Sequence, residues 1–313
     1  MDDSKLIESV FPSVIPDLSE FHHKGQSGRI GVIGGCKEFT GAPYYASIAG
    51  LKSGADLVYV FCTSDSSGPI KSYSPELIVI PILDSANCIA TISQYMSRLH
   101  ALIIGPGLGR DDSIAETILS LIGKARECDL PLLLDADSLY FLSRSIYLIK
   151  DYRKAILTPN AIEFSRLHSL IFGRDLTDQE RILPGERVKE MSSRLGNVTI
   201  IRKGKCDFIS DGNKLIICDQ FGSNRRCGGQ GDLLVGSLGT FSFWSHSNKL
   251  ISNSAINRNQ LNPCLVAAFA ACLFTRKCNR LTFEQLGRTM TTTDMIKMIP
   301  KTFESLWPSK YKS

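Results

Sequence analysis

The chain has 313 residues, 43% of them hydrophobic, with a formal net charge of +5 spread along its length. That is enough apolar material for one large domain or two small ones. It is too little clustered charge for a nucleic-acid binder: "NRR" and "IRKGK" are short clusters that suit a small anionic ligand better than a polyanion. The ten cysteines form no C-x-x-C pair and the five histidines add no ligand pattern, which reads as a reduced, intracellular protein without zinc or disulfides. No apolar run approaches the roughly 18 residues that span a membrane. The acidic start "MDDSKLIESVFPSVIP" is neither a secretory signal nor a transit peptide, so a cytoplasmic location is expected.

In chain order, "RIGVIGG" (29–35) reads as a buried strand ending in glycine and "GAPYYASIAGLKSGA" (41–55) as a helix of small residues. "DLVYVFC" (56–62), "LIVIP" (77–81) and "ALIIG" (101–105) read as strands, with a helix around 89–99. "SIAETILSLIGKARE" (113–127) spaces its apolar residues at three and four, as a helix does. "PLLLDAD" (131–137), "KAILT" (154–158) and "VTIIRKG" (198–204) are further strands separated by helices. Continuous apolar strands alternating with amphipathic helices predict an α/β fold in three layers, its sheet mostly parallel and covered on both faces. "CDFISDGNKLIIC" (206–218) predicts an antiparallel hairpin on one edge, turning at Asp211, Gly212 and Asn213. Helices are expected over 232–243, about 262–277 and about 283–299, with the Ser/Asn-rich 245–262 as a long solvated loop. The organisation expected is a single domain over 7–303 and a C-terminal tail from 304. Association of copies is left open, because no surface patch can be read from the chain.

In such a sheet ligands bind beyond the carboxyl ends of the strands. Five segments there carry unusual residues: 34–43, 105–112, 135–139, 158–164 and 222–241. "GGCKEFTGAP" and "GPGLGR" have glycines that let backbone amides approach a phosphate, yet each also reads as an ordinary tight turn and neither fits a nucleotide fingerprint. In "TPNAIEF", Asn160 and Glu163 share one face at a helix start. They suit an N-cap with a first-turn acid, or an amide and a carboxylate that orient a magnesium's waters near phosphates. Lys203 and Lys205 close a strand, either as a solvated end or as cations beside a nucleotide.

The most specific stretch is "GSNRRCGGQGDLL". Gly228, Gly229 and Gly231 leave amides free at the start of a helix, and the helix dipole makes that a hole for an anion. Asp232 stands beside the hole. A second anion does not bind phosphate, so its expected job is to take the proton from a substrate hydroxyl that attacks the phosphate, a service worth about 10² to 10⁴ in rate.

The G-G-x-G-D loop with an earlier N-x-x-E resembles small-molecule kinases of the ribokinase-like fold. More closely, "HKGQSGRIGVIGGCKEFTGAPYYA", "GPGLGR", "DADSL", "LTPNAIEFSRL", "RKGKCD" and "GSNRRCGGQGDLL" follow one another as in the NAD(P)H-hydrate dehydratase family, and "RRCGGQGD" is similar to its eukaryotic, ATP-using members. The resemblance spans nearly the whole chain. It implies repair of hydrated NADH or NADPH: ATP phosphorylates the hydroxyl of the S-hydrate, phosphate leaves, and the reduced cofactor is regenerated. Carried onto this sequence, it implies that Gly107, Asn160, Ala161, Ile162, Glu163, Phe164, Ser165, Arg166 and Asp232 contact the hydrated dinucleotide. Lys203, Gly204, Lys205, Cys206 and Asp207 would contact ATP, as would Gly222, Ser223, Asn224, Arg225, Arg226, Cys227, Gly228, Gly229, Gln230 and Gly231. Mg²⁺ would ride on the ATP phosphates, with no direct protein ligand. A kinase for a pyrimidine or thiazole alcohol would share the glycine loop. A nicotinamide oxidoreductase would need a G-x-G-x-x-G after the first strand, which is absent. A non-catalytic nucleotide sensor would have no need of Asp232.

Overall fold

The computed structural model describes residues 3–18, 23–249 and 254–308. The apolar runs pair as strands β1 (Arg29–Ile33), β2 (Leu57–Cys62), β3 (Ile78–Pro81), β4 (Ala101–Ile104), β5 (Leu132–Leu134), β6 (Ala155–Leu157), β7 (Thr199–Arg202), β8 (Asp207–Ser210) and β9 (Leu215–Cys218). They form one sheet in the order β3-β2-β1-β4-β5-β6-β7-β8-β9. The first seven strands are parallel, and β7, β8 and β9 are antiparallel. The hairpin turn is made by Gly212 at φ +84° and by Asp211, whose Oδ1 accepts from the amides of Asn213 and Lys214 at 3.0 and 2.9 Å.

Thirteen α-helices connect and cover the strands: α1 (Asp3–Val10), α2 (Gly41–Lys52), α3 (Ser64–Tyr73), α4 (Cys88–Met96), α5 (Ala115–Glu127), α6 (Asp137–Leu142), α7 (Ala161–Phe172), α8 (Asp178–Ile182), α9 (Gly185–Arg194), α10 (Gln230–Lys249), α11 (Ala255–Arg258), α12 (Pro263–Leu286) and α13 (Thr292–Leu306), as counted among the described residues. One face of the sheet, with Ile30, Val58, Ile103 and Ile201, packs against α1, α2, α10, α12 and α13. The other, with Ile104, Leu134, Leu157 and Ile200, packs against α4, α5, α7 and α9. The alternation of Ile200 and Ile201 between two cores is the period-two pleat of a strand buried on both sides.

Some boundaries differ from the sequence reading. The expected loop over 245–262 begins as helix, because α10 continues to Lys249. Trp244 fixes that extra turn: it is buried, and its Nε1 donates to Ser27 O at 2.7 Å. Residues 250–253 lie outside the described residues. Beyond them Ser254 caps α11, and Ile256 and Leu261 are buried, so this part is packed rather than solvated. The expected break between the last helices shifts from 278–282 to 287–291. The last helix runs to Leu306, and Trp307 is buried against Phe11 and Phe274, so the packed unit reaches past 303. Local polarity misled in each case, and a single buried indole outweighs several serines.

α10 must lie close to the sheet to present its first turn. It does so by crossing α2 at glycine: a Cβ on Gly236 would fall 2.0 Å from Ala46 O, and one on Gly50 3.1 Å from Gly236 O. Thr240 Oγ1 donates to Gly50 O at 2.9 Å across the same contact.

Candidate active site

The sheet register puts the ends of β1, β4, β5, β6 and β7 in one row, with Ile33 paired to Ile104, Ile104 to Leu134, Leu134 to Leu157 and Leu157 to Ile200. The loops that follow these strands therefore share one rim, and the first turn of α10 comes to it from the side. The loops nest through missing side chains. A Cβ on Gly34 would sit 2.1 Å from Pro106 O, and one on Gly105 only 1.7 Å from Asp135 O. Gly107, at φ +65°, lies under Phe39 O in the same row.

At the centre stands Lys203. Its Nζ donates to Asp135 Oδ1 at 2.7 Å, and Asp135, 2% exposed, also accepts from Thr158 Oγ1 at 2.6 Å. A Cβ on Gly231 would lie 3.4 Å from the same Nζ, so the amine faces the start of α10. Burial works against the lysine's charge, but Asp135, Glu163 and Asp232 together raise its pKa, so it stays a cation.

Asp232 sits in the first turn of α10, part-buried. Among the described residues no donor reaches its carboxylate, and the amides of Gln230, Gly231 and Asp232 have no acceptor. Burial pushes its pKa up to about 7; Asp135 and Asp137 add to the rise and Lys203 opposes it. An acid that would be fully ionised in water is thus poised to take a proton near neutrality. Free amides, a lysine cation and a half-ionised carboxylate side by side can bind a phosphoryl group and deprotonate the hydroxyl that attacks it.

The other expected residues divide into two groups. Asn160 and Glu163 form a capping box: Asn160 Oδ1 accepts from the amides of Ile162 and Glu163, and Glu163 Oε2 accepts from the Asn160 amide at 2.8 Å. The capping and the ligand readings of this pair are not exclusive, because the box uses Oε2 of Glu163 alone and Lys203 still acts on its carboxylate. Burial raises the Glu163 pKa, and Lys203 counters it. Ala161, Ile162 and Arg166 are exposed, while Phe164 is 1% exposed and belongs to the core. Phe164 thus packs α7 onto the core and also lines a cavity with Ala161, Ile162 and Ser165. Ser165 Oγ is tied to Ala161 O at 3.0 Å.

In the 203–207 turn, Asp207 is also structural. Its Oδ1 accepts from the Gly204 amide at 3.0 Å and its Oδ2 from Arg276 Nε at 2.6 Å. Arg276 further donates to the carbonyls of Lys205 at 2.8 Å and Gly204 at 2.9 Å. Lys205 is exposed and Cys206 part-buried. The glycine loop is anchored from α13, where Thr292 Oγ1 donates to Gly228 O at 2.6 Å. Gln230 Nε2 donates to Arg225 O and Cys227 Sγ. Gly222 and Ser223 are buried under α12, Arg226 and Asn224 are exposed, and Arg225 Nη1 donates to Arg226 O at 3.2 Å.

Sequence reasoning did not assign Asp135, Asp137 or Arg276. "DAD" after the apolar "PLLL" carried a signal, since a carboxylate in line with a fully buried strand needs a partner. Asp137 accepts from the Gly109 amide and from Arg110 Nε, both at 3.1 Å. Arg276 interrupts the apolar run of α12, but nothing in the chain names its partner Asp207, which is 69 positions away.

Among the described residues no group of three or more His, Cys, Asp or Glu could hold a metal ion, and no helix is long and apolar enough to cross a membrane.

This architecture is the ribokinase-like one: a ribokinase-like superfamily protein from Enterococcus faecalis superimposes with a TM-score of 0.74 at 20% identity, covering 97% of this chain and 95% of that one. An ADP/ATP-dependent NAD(P)H-hydrate dehydratase from Bacillus subtilis, co-crystallised with ATP and Mg²⁺, superimposes at 0.70 with 19% identity, over 96% of this chain and 97% of that one. The particular branch is set by sequence. The chain belongs to the NAD(P)H-hydrate dehydratase family, whose model matches residues 30–301. The ATP-dependent (S)-NAD(P)H-hydrate dehydratase of Mus musculus is 45% identical over 97% of this chain and 87% of the mouse protein.

Proposed function

We propose that this chain is an ATP-dependent hydro-lyase that dehydrates the S-epimer of hydrated NADH and NADPH, giving NADH or NADPH with ADP and phosphate. Family membership supports the reaction, and the observation that carries the mechanism is Asp232 at the start of α10 with its pKa near 7. The hydrate's hydroxyl is a poor leaving group. Its oxygen attacks the γ-phosphorus of ATP while Asp232 takes its proton; the P–O bond to ADP breaks, and ADP leaves. The phosphate then departs with the C–O bonding electrons, pushed by the ring nitrogen. Loss of a proton from the neighbouring ring carbon restores the double bond. Atoms balance as hydrate plus ATP to reduced dinucleotide, ADP, phosphate and one proton.

The free amides of the glycine loop hold the transferring phosphoryl, and loss of one such donor costs about 10² to 10³ in rate. Lys203 adds a cation that Asp135 keeps in place. Arg276 shapes the 203–207 turn on which ATP rests. Magnesium neutralises phosphate charge when it arrives with ATP. The ion would be held mainly by phosphates and water, with Asn160 and Glu163 at the start of α7 placed to orient that water.

The test is absorbance at 340 nm on S-hydrated NADH with protein and Mg²⁺, adding ATP and ADP in separate runs. A rise with ATP supports the reading. No rise with either, together with ATP consumption on small alcohols, would make the protein a kinase that releases its phosphorylated product.

A further inference from the structure

Arg202 and Lys203 are neighbours at the end of β7, so their side chains leave on opposite faces of the sheet. Lys203 looks toward α10. Arg202 looks toward α7, into a cavity of about 250 Å³. Ile162, Leu176 and Pro184 give this cavity apolar walls, and Glu180, Arg181 and Arg202 give it charge. The one carboxylate is already satisfied: Glu180 takes Arg174 at 2.8 and 2.6 Å and Arg187 at 3.5 Å, contacts that hold its carboxyl far below the usual range. Among the described residues the two cations have no such partner. There Arg202 makes no ion pair, and its Nε is buried with no acceptor. The carboxylate that acts on it, Asp207, is spent on Arg276 and the Gly204 amide. Arg181 Nε reaches only the Leu176 carbonyl at 3.3 Å.

The seat for Arg202 is also built. A Cβ on Gly204 would fall 2.3 Å from Arg202 Nη1, so the absent side chain is the room in which the guanidinium lies. A half-buried guanidinium without an anion, facing a base-sized apolar space, is an arrangement that costs stability unless a ligand completes it.

We propose that this cavity receives the adenosine end of the hydrated dinucleotide, and that Arg202 reads a ribose 2′-phosphate there, so that the enzyme favours the hydrate of NADPH over that of NADH. The assignment rests on the dehydratase reading above. A dinucleotide carries its reacting ring at one end and its adenosine at the other. With the ring at Asp232, the molecule would run past Lys203 and Glu163, which interact with one another and, through Lys203, with Asp232, to the start of α7, where Ala161 and Ile162 line this cavity. The apolar walls suit the base, and a guanidinium takes a phosphate monoester through two parallel hydrogen bonds. The diphosphate, midway along the molecule, lies over the rim. A second cavity on the far side of α7, beside Arg110 and Arg166, has about 30 Å³ and is too small for a base.

The experiment compares kcat/KM on the S-hydrates of NADPH and NADH, each with ATP and Mg²⁺, for the wild type, Arg202→Gln and Arg202→Lys. The wild type is expected to prefer the NADPH hydrate. Arg202→Gln is expected to lower the NADPH-to-NADH ratio at least tenfold, chiefly through KM, and Arg202→Lys to recover part of it. An equal loss on both hydrates would put Arg202 on the shared diphosphate and overturn the proposal, as would an unchanged ratio. Absence of turnover on either hydrate by the wild type would instead be a failure of the dehydratase reading. Calorimetry decides the cavity independently: with a non-hydrolysable ATP analogue saturating, the wild type is expected to bind 2′-AMP at least fivefold more tightly than 5′-AMP. Equal binding would overturn the proposal even if Arg202→Gln does not fold.

Discussion

Replacing Asp232 by asparagine separates catalysis from stability, because the two effects have opposite signs. The carboxyl titrates at about 7 in the folded chain, against 3.8 for an ordinary aspartate. When ionised it costs the folded state up to about 4 kcal/mol, and water reaching a part-exposed group reduces that to about 2 kcal/mol. The proton is bound more tightly in the folded state, so the penalty is absent below pH 3.8, grows as pH rises, and is complete above about 7. Asp232→Asn carries no charge to bury. It is therefore expected to melt with the wild type at pH 4 and roughly 4 °C above it at pH 8. Turnover should fall by about 10² to 10⁴, while ATP still binds. For the wild type, kcat/KM should rise with pH through about 7, as the base must be ionised, and the variant should lose that limb. The assays are thermal melts across pH and the 340 nm rate. Near-normal turnover would refute the general base, and equal melting at pH 8 would refute the buried charge.

Arg276→Ala leaves Asp207 buried without its cation. Chemical unfolding should show a loss of about 3–5 kcal/mol, with a raised KM for ATP in the fraction that folds; a loss below about 1 kcal/mol would mean the pair is solvated. Gly105→Ala forces a Cβ against Asp135 O at φ +133° and should cost about 2–4 kcal/mol and displace Lys203, read as a lower melting temperature and a lower rate. Arg226→Ala, on an exposed side chain before the glycine turn, should raise the KM for ATP at least threefold while stability stays within about 0.5 kcal/mol. An unchanged KM would make Arg226 a solvated residue.

Much of the rim was legible because it obeys local rules. A buried strand must be apolar along its length, and a strand that ends in glycine or a cap residue announces its loop, so the row from Gly34 to Asn160 could be read in order. Asp232 stood out because an anion in a glycine turn has few structural uses. For Phe164 and Asp207 the motif marks only a segment, and within it side chains divide between the site and the core. Phe164 turned inward, and Asp207 found Arg276.

What the sequence alone determined is the period of its apolar residues, hence a parallel sheet with helices on both faces, and the order of its chemical segments along the chain. Local sterics and hydrogen bonding decide these within a few residues. Only the tertiary structure decided which charges meet. Lys203 and Asp135 are 68 positions apart and Arg276 and Asp207 are 69 apart, and no local rule links them. Their energies depend on depth and distance, which exist only once the sheet register has closed. The same holds for the proton affinity of Asp232, an ordinary carboxyl in the chain and a base poised at neutrality once α10 lays it beside Asp135.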